Sequence, residues 1–163
     1  MIQSPVSPLD PESTAFWLRL GTAVFCGGIV GLERQLRGKP AGIRTSILIC
    51  LGTELFVALG LSQQSDRVDP TRVLAQVVTG IGFLGGGVIL SREGLLVGVT
   101  SAAVIWMLAA IGSIIGVGHL KAALFLALVT VAILLGVELL ESIFLRLRRG
   151  ATERELEKMD LEE

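Results

Sequence analysis

The sequence predicts an all-α integral membrane protein, a bundle of five transmembrane helices. Two charge-free runs support this prediction, one of nineteen residues from Val73 to Ser91 and one of twenty-five from Gly94 to Gly118. A helix of about twenty apolar residues crosses roughly 30 Å of hydrocarbon. The chain is also 52% hydrophobic, with 20 glycines among its 163 residues. These runs are too long for the short strands and polar loops of a soluble domain.

Five predicted spans follow one another along the chain. They are Ala15–Leu32, Ile47–Leu61, Val73–Leu90, Val99–Gly116 and Ala122–Leu140. Asp10–Pro11 precedes the first span and Asp69–Pro70 precedes the third. Aspartate is favoured at a helix N-cap and proline in the first turn, so both dipeptides predict helix starts. Arg19 lies near the outer end of the first span, and we expect its side chain to extend to the membrane interface.

Basic residues predict the orientation of the bundle. The connections after the first and third spans, together with the C-terminal segment, hold ten lysines and arginines, against three in the opposite connections. The positive-inside bias then places the N-terminus outside and the C-terminus in the cytoplasm. The predicted organisation is an extracytoplasmic segment 1–14, a membrane domain 15–149 and a charged, helical cytoplasmic tail 150–163. A net charge of −1 argues against nucleic-acid binding.

The first and third spans end in related sequences, which suggests an internal repeat. Phe25–Arg34 and Phe83–Arg92 are identical at six of ten positions. Each is followed by a short turn and a similar helix start, at Gly42 and at Gly98. A duplication would make the first two spans and the next two into parallel hairpins, related by an axis along the membrane normal. The alternative is chance similarity, because glycine and valine are common in this chain.

The segment Gly80–Gly85 matches the GxGxxG pattern of dinucleotide-binding proteins. That pattern needs a preceding strand and an acidic residue about twenty positions on. Here it lies inside a predicted span, and the residues at that distance are uncharged, so a nucleotide site is rejected. Gly80, Gly82, Gly85 and Gly86 are instead predicted to let helices pack closely. The alternative is a broken helix that lines a polar path.

Charged residues bracket the first predicted cytoplasmic turn. Glu33 directly follows an apolar run, and Arg44 at the start of the second span is its candidate partner. With Arg34 and Arg37 they form one of two arrangements. The first is a topology determinant with loose surface ion pairs. The second is a buried network that fixes the turn or binds an anion or a metal ion.

Glu54 is the most unusual residue, because it lies within a predicted span. A carboxylate there is costly unless it is protonated, paired or in contact with water. Gln76 and Thr79 of the third span are its candidate neighbours. It is either a functional group or a protonated structural carboxyl bonded to a neighbouring helix. His119 is the single histidine, and no nucleophile–base pair is visible, so we expect neither an enzyme nor a cofactor.

Three segments taken together resemble the MgtC/SapB family of bacterial inner-membrane proteins. They are GLERQLRGKPAGIRTSILICLG at 31–52, RVLAQVVTGIGFLGGGVIL at 72–90 and TSAAVIWMLAAIG at 100–112. The resemblance implies about five spans and a cytoplasmic C-terminus. The characteristic family positions would be Glu33, Arg34, Gly42, Arg44, Thr45, Arg72, Gln76, Gly80, Gly82, Gly85 and Thr100.

The sequence departs from the family pattern at three points. Val97 stands where members often have arginine, and Glu54 stands where a small residue is usual. Many members also have a soluble cytoplasmic domain after the membrane domain, whereas this sequence ends after a short charged tail. Any regulation that depends on such a domain is in doubt for this sequence.

The resemblance implies a role in growth under magnesium limitation and in bacterial survival inside macrophages. We expect a non-enzymatic regulator that modulates other membrane proteins, with ATP synthase or a second copy of this chain as candidate partners in the bilayer. The alternative is a small transporter or channel for Mg²⁺ or another cation, which needs only one or two carboxylates. If Glu54, Arg44 and Thr79 converge on a water-accessible cavity, transport is favoured. An exposed face of small residues favours partner binding.

Overall fold

The structure, a computed structural model, describes residues 9–62, 71–92 and 95–160 and contains five helices there, as predicted. The helices are α1 Thr14–Leu36, α2 Ile43–Ser62, α3 Thr71–Gly87, α4 Val99–Gly116 and α5 Leu120–Asp160. Two short strands, β1 Leu90–Arg92 and β2 Leu95–Val97, connect α3 to α4. The predicted helix start at Asp69–Pro70 lies outside the described residues.

Within the described residues, four stretches are long and apolar enough to cross a membrane. They are Thr14–Leu36, Ile43–Ser62, Val99–Gly116 and Leu120–Leu140. α3 has 17 residues, which gives a length of about 25 Å at 1.5 Å per residue. The chain is therefore a multi-pass helical membrane protein, and its orientation in the bilayer stays a prediction.

The first helix begins later than the sequence predicted. Asp10 was expected to be the N-cap, but its side chain accepts a hydrogen bond from the Glu12 backbone N–H, at 2.9 Å, in the preceding turn. The N-cap is Ser13, whose hydroxyl accepts from the Phe16 N–H at 3.3 Å. A serine hydroxyl satisfies a free N–H of the first turn as well as a carboxylate does.

The third span ends earlier than predicted, at Gly87 rather than Leu90. The chain then forms an antiparallel hairpin in which Leu90 faces Val97 and Arg92 faces Leu95. Gly98 follows with a φ of 92°. A Cβ at that position would collide with the Val88 carbonyl oxygen. Only glycine tolerates both this φ and this approach, so the hairpin depends on Gly98.

Glycines bring α1 and α4 against the backbone of α2. A Cβ added to Gly27 would lie 2.7 Å from the Ile47 Cα, and one added to Gly31 would lie 2.6 Å from the Ile43 Cα. On the other side of α2, a Cβ on Gly112 would lie 2.5 Å from the Cys50 carbonyl oxygen and one on Gly116 would lie 2.8 Å from that of Glu54. Both pairs have the small-xxx-small spacing of closely packed membrane helices.

These contacts define the two ends of the bundle. Leu36, Ile43, the strands and Val99 lie at one end, which we call the hairpin end. Thr14, Ser62 and Thr71 lie at the other, which we call the opposite end. α4 runs parallel to α2, because Gly112 meets Cys50 and Gly116 meets Glu54.

The predicted repeat has a counterpart in helix packing. Gly27 and Gly85 occupy the same place in the two aligned segments. Gly27 faces Ser46 and Ile47 of α2, and Gly85 faces Ala102 of α4, with a Cβ 3.7 Å from the Ala102 carbonyl oxygen. When Gly42 is aligned with Gly98, Ser46 corresponds to Ala102. Equivalent glycines therefore contact equivalent positions, which supports the repeat.

The chain divides into two compact units at Thr130. In the first unit, the start of α5 buries Ala123, Ala127 and Thr130 at helical spacing. The second unit is the remainder of the chain from Val131 and continues as helix to Asp160. The helical conformation expected at the start of the 150–163 tail is confirmed up to that residue.

Gly27→Ala is expected to destabilise the bundle by about 1–3 kcal/mol, because an extra methyl group in a close-packed interface must displace backbone. Gly28→Ala is a matched control, since its Cβ would meet only the Ile47 Cδ1, at 4.0 Å. The measurement is the Tm of each variant purified in detergent. Equal Tm values for the two variants would contradict the packing described.

Candidate functional site

Glu54 pairs with Arg19 in the interior of the bundle. The Arg19 Nε donates to the Glu54 Oε1 at 2.9 Å, and the two residues are 8% and 0% exposed. The expected extension of Arg19 to the interface is therefore wrong. A charged pair inside the bundle avoids the larger cost of an isolated charge in hydrocarbon, which explains why Arg19 turns inward.

The predicted neighbours of Glu54 lie elsewhere. Gln76 is exposed, and Thr79 is an exposed residue whose hydroxyl donates to the Ala75 carbonyl of its own helix at 2.9 Å. Among the described residues, the Glu54 Oε2 has no hydrogen-bond partner. The carboxyl is thus bonded to a neighbouring helix, as one interpretation held, but its partner is a guanidinium.

A second polar cluster lies at the hairpin end and joins α1 to α4. The Arg34 Nη2 donates to the Ser101 Oγ at 2.6 Å, and both residues are buried. Glu33 is also buried, with its carboxylate 3.1 Å from the Arg37 Nε and 4.0 Å from the Arg34 Nη1. This is the buried network that the sequence offered as one of two alternatives. Arg44, the expected partner of Glu33, is exposed and takes no part in these ion pairs.

An apolar cleft of about 710 Å³ lies between α2 and α3. Four of the predicted residues line it, Thr45 on α2 and Arg72, Gln76 and Gly80 on α3. Neither Glu54 nor the cluster around Arg34 contributes to its walls. The predicted residues therefore do not converge on one place. Some belong to the two buried clusters and some line the cleft, whereas Arg44, Thr79 and Thr100 are exposed and belong to none of these.

The glycines of α3 do not all have the same environment. α3 is continuous from Thr71 to Gly87, so the broken-helix alternative is wrong. Gly85 packs on α4, whereas a Cβ added to Gly80, Gly82 or Gly86 would meet nothing within 4 Å. Gly82 and Gly86 join Ala75 and Thr79 in an exposed row at spacings of four, three and four residues. We call this row the small-residue face.

Sequence reasoning missed two residues of the buried clusters, Arg19 and Ser101. The signal that could have identified Arg19 was its charge. It is a basic residue within the first predicted span, and Glu54 is an acidic residue within the second. Ser101 directly follows Thr100, which was predicted but is exposed. In the described part of the chain, no group of three or more His, Cys, Asp or Glu residues is placed to hold a metal ion.

The comparison with known families agrees with the motifs around these clusters. A family model described as the MgtC family matches residues 20–143, which contain α2, α3, α4, most of α1 and the start of α5. The chain belongs to the MgtC family. The resemblance seen in the three sequence segments is thereby confirmed.

Individual relatives are similar over the same region. The Escherichia coli K12 protein named "Putative magnesium transporter YhiD" is 44% identical over 126 residues, which cover 73% of this chain and 59% of the relative. Protein MgtC of Brucella abortus is 41% identical over 137 residues, with 81% and 56% covered. Protein MgtC of Salmonella typhimurium is 44% identical over 108 residues, with 66% and 46% covered. The chain thus spans about half the length of the curated relatives it matches, and no solved structure matches it.

Arg19→Leu and Glu54→Leu should each lower stability by about 3–5 kcal/mol, because each breaks the buried Arg19–Glu54 pair. The double variant is expected to recover most of the loss, since apolar replacement of both partners is often neutral. Thermal unfolding of the four proteins in detergent measures this coupling. Losses that simply add in the double variant would show that the pair makes no mutual contribution.

Ser101→Ala is expected to cost about 1.5–3 kcal/mol, because it removes the hydroxyl that accepts from the buried Arg34 guanidinium. Thr100→Ala is the neighbouring control and should change stability by less than about 0.5 kcal/mol, as exposed substitutions usually do. The same unfolding assay distinguishes the two. A larger loss of stability for Thr100→Ala than for Ser101→Ala would contradict the orientation of α4, in which Ser101 is buried and Thr100 is exposed.

Proposed function

We propose that this chain is a non-enzymatic regulator in the bacterial inner membrane, which binds other membrane proteins and supports adaptation to low magnesium. One observation carries the proposal. The charged residues inside the bundle bond to one another, whereas the small-residue face of α3 has no partner among the described residues. A transport path needs polar groups that converge on water, whereas these groups lie buried in two separate clusters.

The small-residue face suits the approach of another transmembrane helix. Gly82 and Gly86 are four residues apart and lie on the same side of α3, with Thr79 one turn before Gly82. Small residues allow two helix backbones to come close in lipid, where apolar side chains gain little from contact with one another. ATP synthase, suggested by the family resemblance, and a second copy of the chain are the candidate partners.

The second candidate function is the transport of Mg²⁺ or another cation. It is favoured by the name of the Escherichia coli relative, "Putative magnesium transporter YhiD". The cleft between α2 and α3 is a candidate passage, but none of the described residues that line it is acidic. Mg²⁺ is bound in proteins through carboxylates and retained water. The cleft is therefore poorly suited to it.

The regulator proposal predicts that the double variant Gly82→Leu/Gly86→Leu stays folded and fails to support growth at low magnesium. Leucine at these positions has room in the bundle but prevents close approach of a second helix. Gly21→Leu is the control, because a Cβ on Gly21 also meets nothing within 4 Å and lies on α1. Normal growth with the double variant, at normal abundance in the membrane, would refute the proposed face.

Mg²⁺ flux into proteoliposomes distinguishes the two functions. We expect no flux above that of empty liposomes from correctly inserted protein. Glu54→Gln and Arg44→Ala are measured alongside, each after its folding has been checked. Flux from the unaltered chain that both variants abolish would establish the transport alternative.

A further inference from the structure

The cleft between α2 and α3 exists because glycine stands in the middle of both walls. The two helices touch near the opposite end, where a Cβ on Gly60 would lie 2.6 Å from the Val73 Cγ2. Gly52 on α2 and Gly80 on α3 line the cleft, and a Cβ at either meets nothing within 4 Å. A larger side chain at either position would fill the space.

The chemistry of the α3 wall changes in a definite order along the helix. Arg72 lies at the opposite end, Gln76 lies one turn further in, and Val77, Ile81 and Leu84 continue the wall towards the hairpin end. Gln76 is about 6 Å and Leu84 about 18 Å from Arg72 along the helix axis, at 1.5 Å per residue. One leaflet of hydrocarbon is about 15 Å thick, half of the bilayer value. The apolar part of the wall, about 12 Å between Gln76 and Leu84, therefore lies within the depth of one leaflet.

We propose that this cleft binds an anionic phospholipid, with one acyl chain lying along the apolar wall. The order of cation, amide and apolar wall matches the order of phosphate, ester and acyl chain in such a lipid. The Arg72 guanidinium binds the phosphate, and among the described residues no carboxylate pairs with it. The Gln76 side-chain amide donates to an ester carbonyl.

The lining of the cleft suits an acyl chain, because the α3 wall is apolar apart from Arg72 and Gln76. A single Arg at the mouth of the cleft also gives a reason for preferring an anionic headgroup, as basic pockets between membrane helices do.

The proposed lipid site is distinct from the proposed partner-binding face. Gly80 lines the cleft, and Gly82 belongs to the small-residue face. Two residues correspond to about 200° around a helix, so Gly80 and Gly82, which the two sets of variants replace, lie on opposite sides of α3. Each proposal can therefore fail without the other.

Native mass spectrometry of the purified chain tests the site directly. The protein, freed of lipid in detergent, is incubated with equimolar phosphatidylglycerol and diacylglycerol that carry the same acyl chains. We expect one phosphatidylglycerol bound per chain, in preference to diacylglycerol. Gly80→Leu and Gly52→Leu should each abolish this binding from opposite walls, whereas Gly21→Leu should retain it. Tm values establish that each variant is folded.

Arg72→Gln tests the headgroup contact without filling the cleft. We expect the preference for phosphatidylglycerol over diacylglycerol to fall about fivefold, the effect of one basic residue near a charged headgroup. An unchanged preference would overturn the assignment of Arg72. Equal lipid retention in all folded variants, or none in the unaltered chain, would overturn the site. A dimer that Gly80→Leu dissociates would show that a second copy occupies the cleft instead.

Discussion

Close backbone contact between α1 and α2 determines where the buried charges lie. Arg19, Ala23, Gly27 and Gly31 are buried and follow one another at intervals of four residues on α1. Ser46, Cys50 and Glu54 form the matching row on α2. Because the helices are antiparallel and touch through the two glycines, Arg19 at one end of its row reaches Glu54. The position of the Arg19–Glu54 ion pair therefore depends on the packing of uncharged residues, Gly27 and Gly31, against α2.

The sequence alone locates the helices, but it does not show which of their glycines pack against another helix. Charge-free length locates the spans, because hydrocarbon thickness sets a minimum helix length. Gly27 and Gly31, Gly82 and Gly86, and Gly112 and Gly116 all have the same spacing. The first and third pairs pack on α2, and the second faces outward. Spacing identifies a surface that permits close approach, whereas tertiary packing decides whether a helix occupies it.

The candidate site was predictable to the level of residue type and region only. A buried network with Glu33 and Arg34 was one of two alternatives, and both residues are buried. Arg34 donates to Ser101, however, which the sequence did not single out, whereas the singled-out Thr100 is exposed. Adjacent helical residues point about 100° apart, so one residue of rotation separates the two. The hairpin was missed for a similar reason. The apolar segments 88–90 and 95–97 are too short for their periodicity to distinguish strand from helix, and the positive φ of Gly98 separates them from α4.

α3 is the helix through which both proposed surfaces would communicate. Of its residues with described burial, only Ile81 and Gly85 are buried, so few contacts fix its position. An acyl chain in the cleft would hold α3 away from α2, and any shift of α3 would move the small-residue face with it. Two ligands that bias the same position of one element must affect each other's affinity equally. If both surfaces are used, lipid bound in the cleft therefore regulates partner binding, and a bound partner regulates lipid affinity by the same factor.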